Sequence, residues 1–149
     1  MTMEYRRLGR AGIKVSAISI GAWLTYGSNR LEFDQAAACL RTAVESGINF
    51  IDVADIYAYG EAEKVVGQVV KDYDRTKLVI STKAYWPMSQ DANDRGLSRK
   101  HIVESVNRSL KRFDVDYIDL FFCHRYDDQS ETEETVRALS DLVAQGKIL

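Results

Sequence analysis

Cysteine, histidine and long apolar runs are all scarce in this chain. Two cysteines, Cys39 and Cys123, and two histidines, His101 and His124, occur in 149 residues. Two thiols make no disulfide framework, and no CxxC pair is present to hold zinc. The expectation is a pair of buried thiols in a reducing compartment. No His, Cys, Asp or Glu cluster has zinc or EF-hand spacing, so no metal is expected. No P-loop or G-x-S-x-G occurs. No stretch approaches the ~20 apolar residues of a membrane span. Met1 to Arg10 is charged and lacks the apolar core of a signal peptide. The net charge is −2, and Arg6-Arg7 and Lys111-Arg112 are isolated pairs. Neither nucleic acid nor an anionic membrane is therefore expected as a partner. A cytoplasmic location follows by exclusion.

What is present is a regular alternation. Tyr5–Leu8 and Ile13–Val15 flank a turn at Gly9-Arg10-Ala11-Gly12, which predicts a short hairpin. Ser16–Trp23 then reads as a first apolar strand. Asp34–Ser46 carries Ala36, Cys39, Leu40, Ala43 and Val44 at helical spacing, with Gly47 in the C′ position. Ile48–Asp52 is a second strand. Glu61–Asp72 is a second helix with Ala62, Val65, Val66, Val69 and Val70 on one face. Lys77–Lys83 is a third strand. Ser98 is an N-cap for a helix reaching Phe113, with Val103, Val106, Leu110 and Phe113 inward. Tyr117–His124 is a fourth strand. Ser130–Glu133 has capping-box spacing ahead of a helix with Val136, Leu139 and Val143 on one face. Gly146 ends it, and Lys147-Ile148-Leu149 looks like a fifth strand beginning.

Strands alternating with helices argue a parallel sheet with helices outside it. Two folds fit: a doubly wound open sheet, or half of a (β/α)8 barrel, which typically needs about 250 residues. The first strand-to-helix turn, beginning Gly21-Ala22-Trp23, does not match the dinucleotide-binding G-x-G-x-x-G.

Barrel enzymes keep their chemistry at the C-terminal ends of the strands. The second strand ends in Asp52, with Tyr57 five residues on. The third ends in Lys83 and the fourth in His124. None of these residue types is needed to fill an apolar sheet. Each alone has an ordinary explanation: a turn aspartate, a packing tyrosine, a surface lysine, a structural histidine. Together they form a proton-delivery site. A free phenol holds its proton at neutral pH, and a neighbouring ammonium favours its loss. Lys83 can supply that charge, and Asp52 can keep Lys83 oriented. His124 can hydrogen-bond a carbonyl oxygen. Such a set protonates an oxygen as negative charge develops on it. The matching hydride has no side-chain source, so a nicotinamide cofactor is implied. His101 reads as a surface residue. Asp119 is out of phase with His124 and reads as structural.

The stretch Gly47–Tyr57, continuing through Tyr59-Gly60-Glu61-Ala62-Glu63 to Val66-Gly67, resembles the aldo-keto reductase signature. Leu8–Ser16 with Gly21–Trp23, Val79–Lys83 and Tyr117–His124 agree with it. The resemblance is strongest to the branch holding voltage-gated potassium channel beta subunits and their bacterial reductase relatives, through Gly96–Ile102 and Glu133–Leu139. It implies a (β/α)8 TIM barrel, of which residues 1–149 hold an N-terminal hairpin plus (βα)4. It implies NADPH as cofactor and a small aldehyde or ketone as substrate. Tyr57 would be the general acid, Lys83 its partner, Asp52 the partner of Lys83, and His124 the carbonyl-orienting residue. Ala22, Trp23, Asn29, Asp52 and His124 would lie against the cofactor, and Trp23 and Trp86 would wall the substrate pocket. Ala22 stands where many members have Thr. His124 stands where channel subunits tend to have Asn, which favours the reductase relatives. The alternatives are a cofactor-binding regulatory subunit of a membrane channel and an inactive half-barrel. The family's loops after the late strands, which grip the cofactor's phosphates and adenine, fall outside this sequence. The first and fourth strands of a half-barrel would be apolar edges, so a homo-oligomer is expected.

Overall fold

The structure is a computed structural model and describes residues 2–23 and 32–149. Strands β1 (Tyr5–Arg7) and β2 (Lys14–Ser16) form the expected antiparallel hairpin, with Tyr5 opposite Ser16. Gly9 takes a φ of +56° in its turn, a value costly for a residue with a Cβ. The hairpin is fastened to the start of the second barrel strand. The Ser16 N–H donates to Asn49 Oδ1 at 2.7 Å, and Asn49 Nδ2 donates to the Lys14 carbonyl at 3.0 Å. It therefore sits at the end of the sheet opposite Asp52.

The alternation follows in order: β3 (Ile20–Gly21), α1 (Phe33–Glu45), β4 (Phe50–Asp52), α2 (Glu61–Val70), β5 (Val79–Ala84), α3 (Arg99–Phe113), β6 (Leu120–Cys123) and α4 (Thr132–Ala144). The sheet is parallel, with strand order β3-β4-β5-β6. A doubly wound sheet reverses direction at a switch point. Here each strand is added beside the last, which is how a barrel grows. The fold is that of a partial (β/α)8 barrel. Beyond β6, Ile118 and Ile148 form a parallel bridge, so the expected fifth strand is present as this single pairing.

Two apolar clusters hold the layers together. One joins Leu40, Ile51, Val66, Val69, Ile80 and Phe113, between the sheet and the helices α1 and α2. The other joins Ile102, Val106, Ile118, Ala138 and Leu142 beneath α3 and α4. Inside the first layer lies a buried polar link. Fully buried Glu63 accepts from Thr82 Oγ1 at 2.5 Å and from the Arg112 guanidinium.

Several local expectations are corrected. Ser16–Trp23 is not one strand: Ser16 belongs to the hairpin, and its Oγ donates to the Ile18 carbonyl at 2.6 Å, closing a bend. On α1 the buried stripe is Ala36, Ala37, Leu40 and Ala43, which rotates Cys39 into solvent. Cys123 is exposed too, so neither thiol is buried as expected. On α4 the buried residues are Thr135, Ala138 and Leu142, whereas Val136 and Val143 face outward. The capping box does not form. Ser130 Oγ donates instead to Asp127 at 2.7 Å, and Glu131 is the N-cap without a side-chain bond. Helix α3 is capped as expected, Ser98 Oγ accepting from the His101 N–H at 3.2 Å. Its inward face is wider than expected and includes His101, Ser105 and Ser109. Asp119 is structural, pairing with Arg75 at 2.5 Å and accepting from the Ile80 N–H at 2.9 Å.

Gly67 decides how closely α2 meets the end of α3. A Cβ there would lie 2.3 Å from the Phe113 carbonyl oxygen and 2.7 Å from its carbon, all backbone atoms that no rotamer change can move. Alanine is the better helix former by about 1 kcal/mol, but overpacking costs ~1–3 kcal/mol and wins here. Gly67→Ala is expected to lower the urea unfolding midpoint. A variant as stable as the parent would contradict this close approach.

Candidate active site

The register of β4 against β5 builds the site. Asp52 ends β4 opposite Ser81 on β5, and Lys83 stands two residues further along β5 on the same face. Ser81 Oγ donates to Asp52 Oδ1 at 2.7 Å, and Lys83 Nζ donates to Asp52 Oδ2 at 2.9 Å. Each carboxylate oxygen thus has its own donor. Lys83 Nζ also donates to the Val53 carbonyl at 2.6 Å and to the Tyr57 hydroxyl at 3.3 Å. An ammonium has three N–H bonds, and all three point at fixed acceptors. The Lys83 side chain is 13% exposed and that of Asp52 32%, so the pair is partly desolvated and only lightly screened.

The backbone extends this ladder past the strands. The Asp55 N–H donates to the Lys83 carbonyl at 3.2 Å, and the His124 N–H to the Ala84 carbonyl at 3.1 Å. Tyr57 and His124 are thereby both registered on β5. Their rings meet edge to face with centroids 6.0 Å apart. Directly after Tyr57 the chain takes three left-handed residues, Ala58 (φ 49°), Tyr59 (φ 52°) and Gly60 (φ 91°). Only the glycine adopts this without strain. Such strain persists where the surroundings over-determine it, and it collects at functional sites.

An open cleft of about 380 Å³ lies above these residues, lined by Trp23, Ile56, Tyr57, Trp86, His124 and Arg125. Trp23 stacks on Tyr57 at 6.2 Å, and Trp86 meets His124 edge-on at 6.2 Å. A larger cavity of about 660 Å³ shares Trp86 with this cleft but holds none of Asp52, Tyr57, Lys83 and His124. The His124 imidazole is held below its usual titration range. Burial is the main cause, and the charges of Lys83 and then Arg125 add to it, against an opposing pull from Asp52. It is therefore neutral at pH 7, with one donor and one acceptor nitrogen. Its buried Nδ1 has no hydrogen-bond partner among the described residues.

The structure thus brings Asp52, Tyr57, Lys83 and His124 together, with Trp23 and Trp86 as walls. Ala22 is fully buried in the core, and its N–H is committed to the Asp52 carbonyl at 3.0 Å. Asn29 lies outside the described residues. Sequence reasoning missed Ser81 and Arg125. Ser81 could have been found as the polar residue two before Lys83, on the same strand face. It also missed the interior role of Asp55. This carboxyl is fully buried, accepts from Ser105 Oγ at 2.9 Å, and has no partner for Oδ1 among the described residues. Burial, opposed by that bond and reinforced by Glu63, pushes it up to about 7. Its raised value means stability that is full below the ordinary carboxylate range and lost as the pH rises through about 7.

His101 is not the surface residue expected. It is fully buried, with Nδ1 3.5 Å from Asp94. The loop before α3 folds back over that helix, the Gly96 N–H donating to the Tyr85 carbonyl at 2.7 Å and Arg108 pairing with Asp94. No group of three or more His, Cys, Asp or Glu among the described residues is arranged to hold a metal ion.

The field on His124 can be read directly. In a proton NMR titration its midpoint should fall below 6.5. Lys83→Met should raise that midpoint and Asp52→Asn should lower it further. A parent midpoint at or above 6.5, or shifts of opposite sign, would contradict the charge arrangement.

Comparison with known proteins places this geometry. A model of the aldo/keto reductase family matches residues 17–149. The chain is 47% identical over 146 residues to a protein of Oryza sativa subsp. japonica named probable voltage-gated potassium channel subunit beta, covering 97% of this chain and 44% of that one. A protein of Arabidopsis thaliana with the same name is 46% identical over the same shares. A putative voltage-gated potassium channel subunit beta of Schizosaccharomyces pombe is 44% identical, over 97% of this chain and 43% of that one. Among solved structures, a thermostable aldo-keto reductase in complex with the inhibitor epalrestat superposes with a TM-score of 0.83 at 33% identity, over 98% of this chain and 52% of that one. The chain spans about half the length of the relatives it matches. With the family model matching nearly the whole chain and the sheet order of a barrel beneath it, this chain belongs to the aldo/keto reductase family.

Proposed function

We propose that this chain carries the proton-donating half of an NADPH-dependent reductase that converts small aldehydes or ketones to alcohols. The observation behind this reading is the single ammonium of Lys83, bonded at once to Asp52 and to the Tyr57 hydroxyl. Tyr57 gives its phenolic proton to the carbonyl oxygen as that oxygen becomes negative. Lys83 stabilises the negative charge left on the phenol oxygen, because its Nζ already lies 3.3 Å away. Asp52 and the Val53 carbonyl keep the ammonium in place while this happens. His124, neutral and edge-on to Tyr57, donates a hydrogen bond that orients the carbonyl. Trp23 and Trp86 wall the cleft beside the reacting oxygen and fit a flat apolar ring on the substrate.

A reduced nicotinamide, when bound, supplies the hydride that the carbonyl carbon takes up. The rim residues fit such a group. Trp23 offers an exposed indole face, the Asp52 carboxylate is a third exposed, and buried His124 Nδ1 lacks a hydrogen-bond partner among the described residues. Asp52, His124 and Trp23 would hold it, whereas Ala22 is buried with its N–H committed to the Asp52 carbonyl, and the family supports NADPH. A cytoplasmic location belongs to the same reading, and no helix among the described residues is long and apolar enough to cross a membrane. A second reading, a cofactor-binding regulatory subunit of a channel, is favoured by the names of three relatives. Rapid multiple turnover separates the two, since a sensor turns over slowly.

The test is NADPH consumption in the presence of 4-nitrobenzaldehyde. Tyr57→Phe should lower kcat by about 10²–10⁴-fold, with NADPH binding, read by tryptophan emission, largely retained. An undiminished rate in Tyr57→Phe, or the absence of both turnover and NADPH binding in the parent, would overturn the reading.

A further inference from the structure

The cleft over Tyr57 has an unbalanced charge. Lys83 is neutralised by Asp52 at 2.9 Å, and His124 is held neutral. That leaves Arg125 on the cleft wall. Among the described residues it makes no ion pair and no hydrogen bond. Its contact is with the Trp86 ring, whose centroid lies 5.8 Å from the guanidinium carbon. The nearby acids in the sequence are committed elsewhere. Asp127 is buried and accepts from the Leu97 N–H at 2.7 Å, the Gln129 N–H at 3.0 Å and Ser130 Oγ at 2.7 Å. Asp128 accepts from the Gln129 side chain at 3.0 Å. The field of Arg125 reaches the reacting end of the cleft, since it helps to depress His124.

A guanidinium laid against an aromatic face is weakly hydrated and keeps its fork of N–H donors free at the edge. A planar carboxylate matches that fork with two parallel charge-assisted bonds. Trp86 touches both residues, meeting His124 edge-on and carrying Arg125 over its ring. A substrate lying along this indole can place its carbonyl at Tyr57 and His124 and an anionic end at Arg125.

We propose that Arg125 selects carbonyl compounds that carry a carboxylate, the acid pairing with the guanidinium beside Trp86. The inference rests on the reductase reading for its carbonyl, and on Arg125 alone for its anion. The two are tested apart by measuring binding without NADPH. Both tryptophans of the chain, Trp23 and Trp86, line the cleft and report occupancy through their emission. The probes are 4-formylbenzoate and its neutral methyl ester, of nearly equal shape. The parent chain should bind the carboxylate about tenfold more tightly, with the advantage shrinking as salt is raised. Arg125→Met should bring the ratio to near one, and Arg125→Lys should restore part of it. Equal binding of the two probes by the parent chain would overturn the proposal, as would a ratio that survives Arg125→Met. So would a loss in Arg125→Met confined to NADPH affinity, because the anion recognised would then be the dinucleotide's. Absence of turnover with either aldehyde would count against the reductase reading and leave the binding ratio standing.

Discussion

The site depends on where one ammonium points its three N–H bonds. Lys83 gives one to Asp52, one to the Val53 carbonyl and one to the Tyr57 hydroxyl. With none left over, it cannot drift toward solvent without breaking a bond. Burying the charge is offset by a carboxylate whose second oxygen is held by Ser81, so both members of the pair are fixed by hydrogen bonds. The geometry comes from β4 and β5 rather than from a flexible loop, which is the more exact way to place a reacting group. His124 lies just past the end of β6, and Tyr57 is on a loop. That loop is pinned by the Asp55 amide on Lys83 and by three left-handed residues that hold its path.

The same parallel register sets the rest of the rim. Each strand is added beside its predecessor, so the C-terminal ends of β4, β5 and β6 emerge side by side. Asp52, Lys83 and His124 then meet without any long-range folding of loops. Beneath them the helices are drawn tight by the glycine at 67 and by the Glu63–Thr82–Arg112 link. The hairpin closes the opposite end of the sheet through Asn49, away from the chemistry.

The alternation of elements was legible because each strand and helix has its own hydrophobic period, punctuated by glycine. Asp52, Lys83 and His124 were legible because charged and polar residues at strand ends have no packing purpose. The helix faces were less so. On α1, Ala36, Leu40 and Ala43 belong equally to a stripe with Cys39 and to one with Ala37, and tertiary packing chose Ala37. On α4 the valines lost to Thr135, Ala138 and Leu142, smaller or better placed against the second core. His101 looked solvated because its burial comes from a loop folding back, which no helical period records. Ala58 and Tyr59 carry positive φ without the glycine that usually announces it. Arg125 gave no signal at all, since an exposed arginine after a strand is ordinary until the cleft beside it is seen.

The central claim is that Asp52 acts on Tyr57 through Lys83 and not independently. A double-mutant cycle measures this directly. Asp52→Asn, Lys83→Met and the double variant would be compared in the single-turnover rate of aldehyde reduction by NADPH. The account predicts strong coupling, with the double variant no slower than Lys83→Met alone. Losses that simply multiply would mean that Asp52 and Lys83 serve Tyr57 by separate routes, and would contradict it.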